Sequence, residues 1–518
     1  MYLRFVLALI VCCTFVFNAA SATQRVRPTA AVNVDWPDYN NDSTSDRYVS
    51  LDTINTSNVS GLHTICTLNL GQQLNFQNGP IVVGGVLYVT TSNQTVAVNA
   101  TTCSLIWTNT HTISKTLART NRGAAYADGM LFRGFGDGHV IAINATTGAT
   151  VWDQKVIASG SLEYISGAPV TWNTAVIVGT AGGESGQACH VFALDHSTGA
   201  VTWTQQTVPN VGSPNAKTWK GATHIAGGAT WSSFTIDPST GKLYVPVGNP
   251  GPDFDDRDRL GRNLYTVAVM EFDLSTGAFD RAMQFDAQDV HDWDQAATPA
   301  VVMLSNGIKT ELVAGKDGYL RSVAVKTFEQ AWQTPITTIK NAAAPISPTG
   351  THYCPEGAVY WNGAAYSPAT GLAYVNSADR CVTIEREATP APYVPGQPWL
   401  GSADGYGQRD PKVSGWLSAV NATTGAVAWT YHATLPLLAG VTPTAGGLVF
   451  TADLSGNVLA FNAASGALLA TVSTGMPVGG GVISYAVNGV QYVAVAAGMA
   501  SSSFGTGNPA SAIVILGI

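Results

Sequence analysis

Three short segments of the chain each offer one oxygen-bearing side chain that could bind a metal ion. Glu184 lies in residues 181–186 (AGGESG), Asn249 in residues 247–250 (VGNP) and Asp294 in residues 291–294 (HDWD). Two carboxylates and an amide are the oxygen ligands that hard divalent cations such as Ca2+ prefer. The segments lie too far apart for one loop to hold them. Only a repeated architecture could bring them around a common centre.

A short phrase that recurs along the chain defines such a repeat. It joins an apolar strand, a turn of Asp or Asn with Thr or Ser and Gly, and a following strand that carries a Trp. Copies lie at residues 142–152, 193–203, 272–277, 420–429 and 461–466, with degenerate copies at 98–107 and 323–332. The Asp or Asn can bond its own backbone, and the glycine can adopt positive φ. We expect the recurrent tryptophan to pack in the seam between neighbouring units.

The spacing and the composition of the chain predict its fold class. Adjacent copies of the phrase repeat about every 45 to 50 residues, a period that suits a four-stranded propeller blade. The chain is 46% hydrophobic and 11% charged and contains 54 glycines, which is typical of a turn-rich all-β protein. We predict an all-β, eight-bladed β-propeller, with seven blades as the alternative. Residues 23–518 are expected to form one domain, with inserts at 210–221, 253–262 and 389–412.

The N-terminus has the pattern of a secretory signal peptide over residues 1–22. A basic start at Arg4 precedes the apolar residues 5–17 and the small residues 20–22 (ASA). The apolar run is too short for an ordinary membrane-spanning helix. We therefore expect an exported protein, extracellular or, in a bacterial host, periplasmic; an uncleaved signal anchor is the alternative. The net charge of −8, without a basic cluster, argues against nucleic acid and anionic membranes as partners.

Export makes disulfides plausible among the five cysteines that follow the signal peptide. We predict the pairs Cys66–Cys103 and Cys354–Cys381, which leaves Cys189 free in an apolar strand; sequence alone does not prove this connectivity. N-glycosylation sequons, which matter only in a eukaryotic host, begin at Asn41, Asn55, Asn58, Asn93, Asn99, Asn144 and Asn421.

An ordered series of motifs resembles the pyrroloquinoline-quinone (PQQ) alcohol dehydrogenases. The motifs are residues 35–39 (DWPDY), 47–51 (RYVSL), 247–252 (VGNPGP), 262–265 (RNLY) and 489–495 (GVQYVAV). This similarity spans essentially the whole mature chain. It implies an exported quinoprotein that oxidises a primary or secondary alcohol. Residues 291–294 are similar to polyvinyl-alcohol dehydrogenases as well, so sugars and polymeric alcohols are also candidate substrates.

The resemblance assigns roles to individual residues. Glu184, Asn249 and Asp294 match the Ca2+ ligands, and Asp294 also matches the catalytic base. Arg122 and Lys316 match cationic contacts to PQQ and its carboxylates, where charge-assisted bonds are strong, and Lys316 is also assigned to catalysis. The other implied cofactor contacts are Ser166, Gly182, Gly183, Asn362 and Trp231, the last as the aromatic floor beneath the quinone.

Four positions bear on how closely the chain follows this family. Thr116 and Leu117 stand where members often carry adjacent cysteines bridged above the quinone, and Ala229 stands where a threonine usually bonds the cofactor. The departures at Thr116, Leu117 and Ala229 bear on cofactor affinity. Ala296 stands where lanthanide-using relatives place a further aspartate. Because a more highly charged ion needs another carboxylate, Ala296 favours Ca2+.

The implied reaction moves a hydride from the alcohol to PQQ, with the metal as Lewis acid and Asp294 as the proton acceptor. The sequence has no C-x-x-C-H haem motif, so we expect an external electron acceptor. It also has no H-x-x-H zinc motif and no Gly-x-Ser-x-Gly nucleophile elbow. The alternative is a non-catalytic propeller that acts as a binding or scaffold protein. Assembly factors with such blades lack the series of Glu184, Asn249 and Asp294, which discriminates between the two.

Overall fold

Antiparallel strands make up nearly all regular structure in residues 32–113 and 120–518, the part of the chain that the computed structural model describes together with Met1. The described residues also contain three short 3-10 helices, Val59–Gly61, Gly183–Ser185 and Pro214–Thr218. Among them, no helix has the length and hydropathy needed to cross a membrane. The predicted signal peptide, Thr116 and Leu117 lie outside the described residues.

In this part of the chain the strands form eight four-stranded sheets, which we call blades 1 to 8. Blade 1 consists of Ile81–Val83, Val86–Thr90, Gln94–Asn99 and Leu105–Thr110, and blade 2 of Ala125–Ala127, Met130–Gly134, His139–Asn144 and Thr150–Lys155. Blade 3 consists of Val170–Trp172, Ala175–Gly179, His190–Asp195 and Val201–Gln206, and blade 4 of Thr235–Asp237, Lys242–Val247, Ala268–Asp273 and Phe279–Gln284. Blade 5 consists of Ala300–Met303, Lys309–Ala314, Tyr319–Ala324 and Glu329–Pro335, and blade 6 of Ala365–Ser367, Leu372–Asp379, Ser414–Asn421 and Val427–Ala433. Blade 7 consists of Thr442–Pro443, Leu448–Ala452, Asn457–Asn462 and Leu468–Ser473, and blade 8 of Val478–Val487, Val490–Ala497, Ala512–Gly517 and His63–Asn69. The all-β propeller is confirmed, and the number of sheets fits eight blades.

Within a blade the four strands lie side by side, with the first strand nearest the centre of the propeller and the fourth at its surface. First strands of neighbouring blades contact one another, as those of blades 2 and 3 do. The fourth strands alternate exposed and half-buried residues, as in Leu105–Thr110 of blade 1. Between the blades, apolar side chains such as Phe132 of blade 2 and Val178 of blade 3 form the core.

The recurrent tryptophans pack in the seams between blades, as predicted. Trp152, on the fourth strand of blade 2, covers Gly199 in the turn of blade 3, and its Nε1 donates to the carbonyl oxygen of His196 at 2.8 Å. A Cβ atom at Gly199 would lie 2.7 Å from the indole ring. In the same turn, the carboxylate of Asp195 accepts the backbone N–H groups of Ser197 and Thr198. The turn chemistry and the seam are therefore one unit that repeats along the chain.

The two ends of the propeller meet in blade 8. His63–Asn69 pairs antiparallel with Ala512–Gly517, which closes the ring. The disulfide Cys66–Cys103 ties this strand to blade 1. The second predicted disulfide, Cys354–Cys381, is also present, and Cys189 is buried and unpaired.

One small sheet was not predicted. Its strands are Thr351–Tyr353, Val382–Ile384 and Gln408–Arg409. The segment that precedes the last of these strands includes Trp399, whose backbone N–H donates to the carbonyl oxygen of Glu184 at 2.6 Å. This part of the chain therefore contacts the turn that carries Glu184.

Candidate active site

Three successive blades each supply one of the predicted metal ligands. Glu184 lies on the 3-10 helix Gly183–Ser185, which follows the second strand of blade 3. Asn249 comes two residues after the second strand of blade 4, and Asp294 precedes the first strand of blade 5. A propeller places these segments at one end of its central axis, which explains how residues so distant in sequence come together.

A glycine allows the segments of blades 4 and 5 to approach each other closely. The backbone N–H of Asn249 donates to Oδ1 of Asp294 at 3.0 Å. A Cβ atom at the preceding Gly248 would overlap this same carboxylate oxygen and would lie 3.1 Å from the carbonyl oxygen of Ala229. Gly248 is therefore required for its lack of a side chain, because the space beside it is filled by Asp294.

Lys316 is held between two carboxylates. Its Nζ lies 2.7 Å from Oδ2 of Asp294 and 2.9 Å from Oδ1 of Asp292. Burial alone would lower the pKa of Lys316, but the charges of Asp292 and Asp294 outweigh it and raise that pKa well above its ordinary value. Oδ2 of Asp294 also accepts the indole N–H of Trp231 at 3.2 Å. Both oxygens of Asp294 are thus fixed in direction.

The site contains more carboxylates than its cations neutralise. Burial raises the pKa of Asp253 well above its ordinary value, and the charges of Asp292 and Glu184 raise it further. Burial and the charge of Asp294 likewise raise the pKa of Glu184. These carboxyl groups keep their protons because their negative charges would repel one another. A bound cation offsets that repulsion and can take the place of the protons.

Asp253 fixes the orientation of the Asn249 amide. Its Oδ1 accepts Nδ2 of Asn249 at 3.0 Å, while its Oδ2 is buried and has no hydrogen-bond partner among the described residues. Because the NH2 group of Asn249 is engaged, its carbonyl oxygen is left as the free ligand atom. The donor set of Glu184, Asn249 and Asp294 therefore fits a hard cation.

These residues adjoin a cavity of about 230 Å3 that aromatic and charged side chains line. The lining residues are Thr120, Arg122, Tyr164, Ser166, Glu184, Trp231, Asp294, Lys316, Tyr360 and Trp361. The guanidinium carbon of Arg122 lies 4.6 Å from the ring centre of Trp231, and Nζ of Lys316 lies 5.9 Å from it. Flat rings and two cations around one cavity suit a planar anion.

Arg122 is firmly positioned, although its guanidinium is incompletely hydrogen-bonded. Its Nη1 donates to Oγ of Ser166 at 2.9 Å and to the carbonyl oxygen of Trp231 at 2.6 Å. Its Nε is buried without a hydrogen-bond partner in the described structure. Burial lowers the pKa of Arg122 to about 10, which still leaves it charged at neutral pH. Nη2 of Arg122 makes no hydrogen bond in the described structure either, so the guanidinium has donors left for an anionic group in the cavity.

Four of the predicted contacts do not line the cavity. Asn249 lies beside it, as described. Gly182, with φ of 132°, and Gly183, where a Cβ atom would lie 3.1 Å from Cα of Gly227, shape the turn that carries Glu184. The amide of Asn362 donates to the carbonyl oxygen of Leu438 at 2.8 Å and accepts the hydroxyl of Tyr39 at 3.2 Å. A cofactor contact from Gly182, Gly183 or Asn362 stays a prediction.

Sequence reasoning missed several lining or neighbouring residues. Tyr164, Tyr360 and Trp361 form part of the wall, and no spacing pattern marks them. Asp253 directly follows the motif VGNPGP at 247–252, and Asp292 lies within HDWD at 291–294. Their position beside the predicted ligands was the signal that could have found them.

The propeller and this combination of oxygen ligands, cations and aromatic walls define a cofactor-binding propeller of the quinoprotein class. The chain belongs to the family described as "PQQ: Glucose/ethanol/alcohol dehydrogenase, beta-propeller domain", whose sequence model matches residues 36–320. The model of the outer membrane protein assembly factor BamB matches the shorter range 413–502.

Individual relatives agree with this assignment. The chain is 30% identical to a quinohemoprotein alcohol dehydrogenase of Comamonas testosteroni, over 93% of this chain and 76% of the relative. It is 28% identical to a lanthanide-dependent methanol dehydrogenase of Methylacidiphilum fumariolicum, over 90% and 84%. The crystal structure of the Comamonas enzyme superposes with a TM-score of 0.84 at 26% identity, covering 93% of this chain and 80% of that one.

Proposed function

We propose that the chain is an exported PQQ-dependent alcohol dehydrogenase that uses Ca2+ and has Asp294 as its base. One observation carries the proposal. Asp294 faces the cavity with both oxygens fixed, by the N–H of Asn249 on one side and by Lys316 and Trp231 on the other. A carboxylate fixed in this way beside a cavity with cationic and aromatic walls is ready to take a proton from a substrate hydroxyl.

The residues present fit both groups. Glu184, Asn249 and Asp294 would hold the metal ion, and Arg122, Ser166, Trp231 and Lys316 would hold PQQ. When bound, PQQ supplies the two-electron acceptor for alcohol oxidation, and the metal polarises its reactive carbonyl. The incompletely hydrogen-bonded guanidinium of Arg122 in the cavity wall is the observation in favour of an anionic cofactor, and the carboxylates with raised pKa values are the observation in favour of a cation.

The chain's own residues would divide the work as follows. Trp231 gives a flat surface and, through its N–H, orients Asp294. Lys316 offsets the charge that Asp292 and Asp294 concentrate beside the substrate. Asp294 accepts the hydroxyl proton as the carbon–hydrogen bond breaks. The rings of Tyr360 and Trp361 help to exclude water from the cavity.

Calcium is the proposed metal because Ala296 provides no further ligand. The side chain of Ala296 is a methyl group, which has no oxygen to offer a metal ion. The name of the Methylacidiphilum relative makes a lanthanide the alternative to test. The substrate is a primary, secondary, sugar or polymeric alcohol, and the electrons pass to an external acceptor.

A non-catalytic scaffold is the second candidate, and the match of residues 413–502 to the BamB model favours it. That range covers blade 7 and two strands each of blades 6 and 8, and none of the predicted ligands lies in it. The carboxylates and cations of the cavity are costly to bury and contribute nothing to a surface for partners. They support the enzyme.

The experiment is a dye-reduction assay with purified full-length protein and a panel of alcohols and sugars. The protein is loaded with PQQ and either Ca2+ or La3+. Asp294→Asn keeps the shape of the side chain and removes the base, so we expect at least a 100-fold loss of kcat. The matched control is Asp410→Asn, a change to a half-exposed carboxylate paired with His352; it should retain full activity.

Two results would contradict the proposal. Failure of the loaded protein to oxidise any alcohol would favour the scaffold. Equal turnover by Asp294→Asn and the parent protein would remove Asp294 as the base while leaving the dehydrogenase activity in place.

A further inference from the structure

We propose a second metal site, for a Zn2+-like transition metal ion, in the seam between blades 1 and 2. Its ligands are His111, His139 and Asp153. His111 follows the fourth strand of blade 1, His139 begins the third strand of blade 2 and Asp153 lies on its fourth strand. The inference does not depend on the proposed dehydrogenase activity.

The three side chains converge closely enough to share one ion. One ligand atom from each lies within 4.8 Å of the others. Nδ1 of His139 lies 2.6 Å from Oδ1 of Asp153, and Nδ1 of His111 lies 3.6 Å from Oδ2 of the same carboxylate. A tetrahedral zinc ion with bonds of about 2.1 Å keeps its ligand atoms about 3.4 Å apart. The separations therefore bracket the required value, and small rotations of the side chains reach it.

A fourth residue, Asp137, provides independent support. Its side chain is only 4% exposed and its Oδ2 faces Nε2 of His111 at 3.7 Å. Nε2 of His111 and Oδ1 of Asp137 are both buried without a hydrogen-bond partner in the described structure. A histidine that binds a metal through one ring nitrogen usually donates the other N–H to a carboxylate. With Nδ1 of His111 on the ion, its Nε2–H points at Asp137.

The surroundings hold the site in place and leave it accessible. The ring of His111 stacks on Phe135, with centroids 4.2 Å apart. The side chains of His139 and Asp153 are 26% and 39% exposed, so an ion can enter from solvent and keep water as its fourth ligand. Two imidazoles with a carboxylate favour zinc-like ions over Ca2+, which prefers oxygen ligands.

A hydrogen-bonded His–Asp pair without a metal is the competing explanation, and the chain provides a matched control for it. His352 and Asp410 form such a pair, with their atoms 3.2 Å apart. The third side chain near them is Cys381, which is unable to act as a thiolate because it is bonded to Cys354. His352 is thus a histidine beside a carboxylate without a complete set of ligands.

The test uses full-length protein stripped with a chelator and then saturated with Ca2+. Titration calorimetry measures Zn2+ binding, and Co2+ gives the visible spectrum of a tetrahedral site. We expect one Zn2+ per chain at this site. His139→Ala and Asp153→Asn should each weaken Zn2+ binding by at least about 100-fold and abolish the cobalt spectrum, and Asp137→Asn should weaken it by about tenfold. His352→Ala should leave it unchanged.

His139 and Asp153 are partly exposed, so both variants should fold, and thermal unfolding checks this. The proposal is overturned if the parent protein binds no Zn2+ under these conditions. It is equally overturned if both variants bind Zn2+ as tightly as the parent, or if binding is lost in Glu184→Gln and kept in His139→Ala. The last result would place the ion at the PQQ-side site instead.

Discussion

Replacing Gly248 with alanine tests how the site depends on the approach of two blades. The backbone at Gly248 does not require positive φ, so alanine is tolerated by the chain itself. The added methyl group would overlap Oδ1 of Asp294 and has the carbonyl oxygen of Ala229 behind it at 3.1 Å. The carbonyl oxygen of Ala229 accepts a hydrogen bond from the N–H of Gly248 and is held in place by it. The carboxylate of Asp294 is therefore the group that must move.

The expected loss follows from that displacement. Ordinary contact requires Asp294 to move by about 1 Å, and a misplacement of this size costs about 100-fold in rate, or about 2.7 kcal/mol in the barrier. The assay is kcat for alcohol-dependent dye reduction at saturating PQQ and Ca2+. The control is Gly61→Ala, whose methyl group would meet only Cγ2 of Ile518 at 3.8 Å. A Gly248→Ala protein whose kcat stays within about threefold of the parent would refute the reasoning.

Three further predictions concern stability and metal binding. Gly199→Ala places a methyl group against the ring of Trp152 at a residue with φ of 75°, so it should lower the free energy of unfolding by about 2–4 kcal/mol in urea titrations. An unchanged urea midpoint would contradict the close packing of Trp152 on this turn. Removing the Cys66–Cys103 disulfide, which spans 37 residues, should lower that free energy by about 4 kcal/mol, and equal stability of the double serine variant would contradict a role in closing the ring. Because burial and the charge of Asp294 raise the pKa of Glu184, Ca2+ must displace its proton; affinity should fall about tenfold per pH unit below that pKa, whereas calorimetry showing a flat profile would contradict the ligand assignment.

Much of the fold could be predicted from the sequence because its determinants are local. The turn around Asp195 and Gly199 and the Trp that covers the glycine of the next blade lie within one repeat, so they appear as a phrase in the chain. The disulfide pairs likewise agree with the prediction. The small sheet could not be predicted because its strands are two or three residues long and are separated by long inserts, so no periodicity in the sequence marks them.

The site was predictable only where motifs mark it. Glu184, Asn249 and Asp294 stand in recognisable segments, and the propeller brings the blades that carry them together. Tyr164 and Tyr360 line the cavity through loop conformations that no spacing encodes. The same limit applies to His111 and His139, because their approach depends on the packing of blades 1 and 2 rather than on a zinc motif.

The central claim is that the cavity binds one PQQ beside one metal ion, and that Glu184, Asn249 and Asp294 hold the metal ion. Equilibrium dialysis of the purified full-length protein tests it most directly, with PQQ measured by absorbance and the metal by elemental analysis. We expect the parent protein to bind one PQQ and one Ca2+ per chain at this site, and we expect PQQ retention to be lost in Glu184→Ala and in the absence of the metal. Retention of no PQQ in the presence of Ca2+ or a lanthanide, or of equal PQQ by Glu184→Ala and the parent, would contradict it.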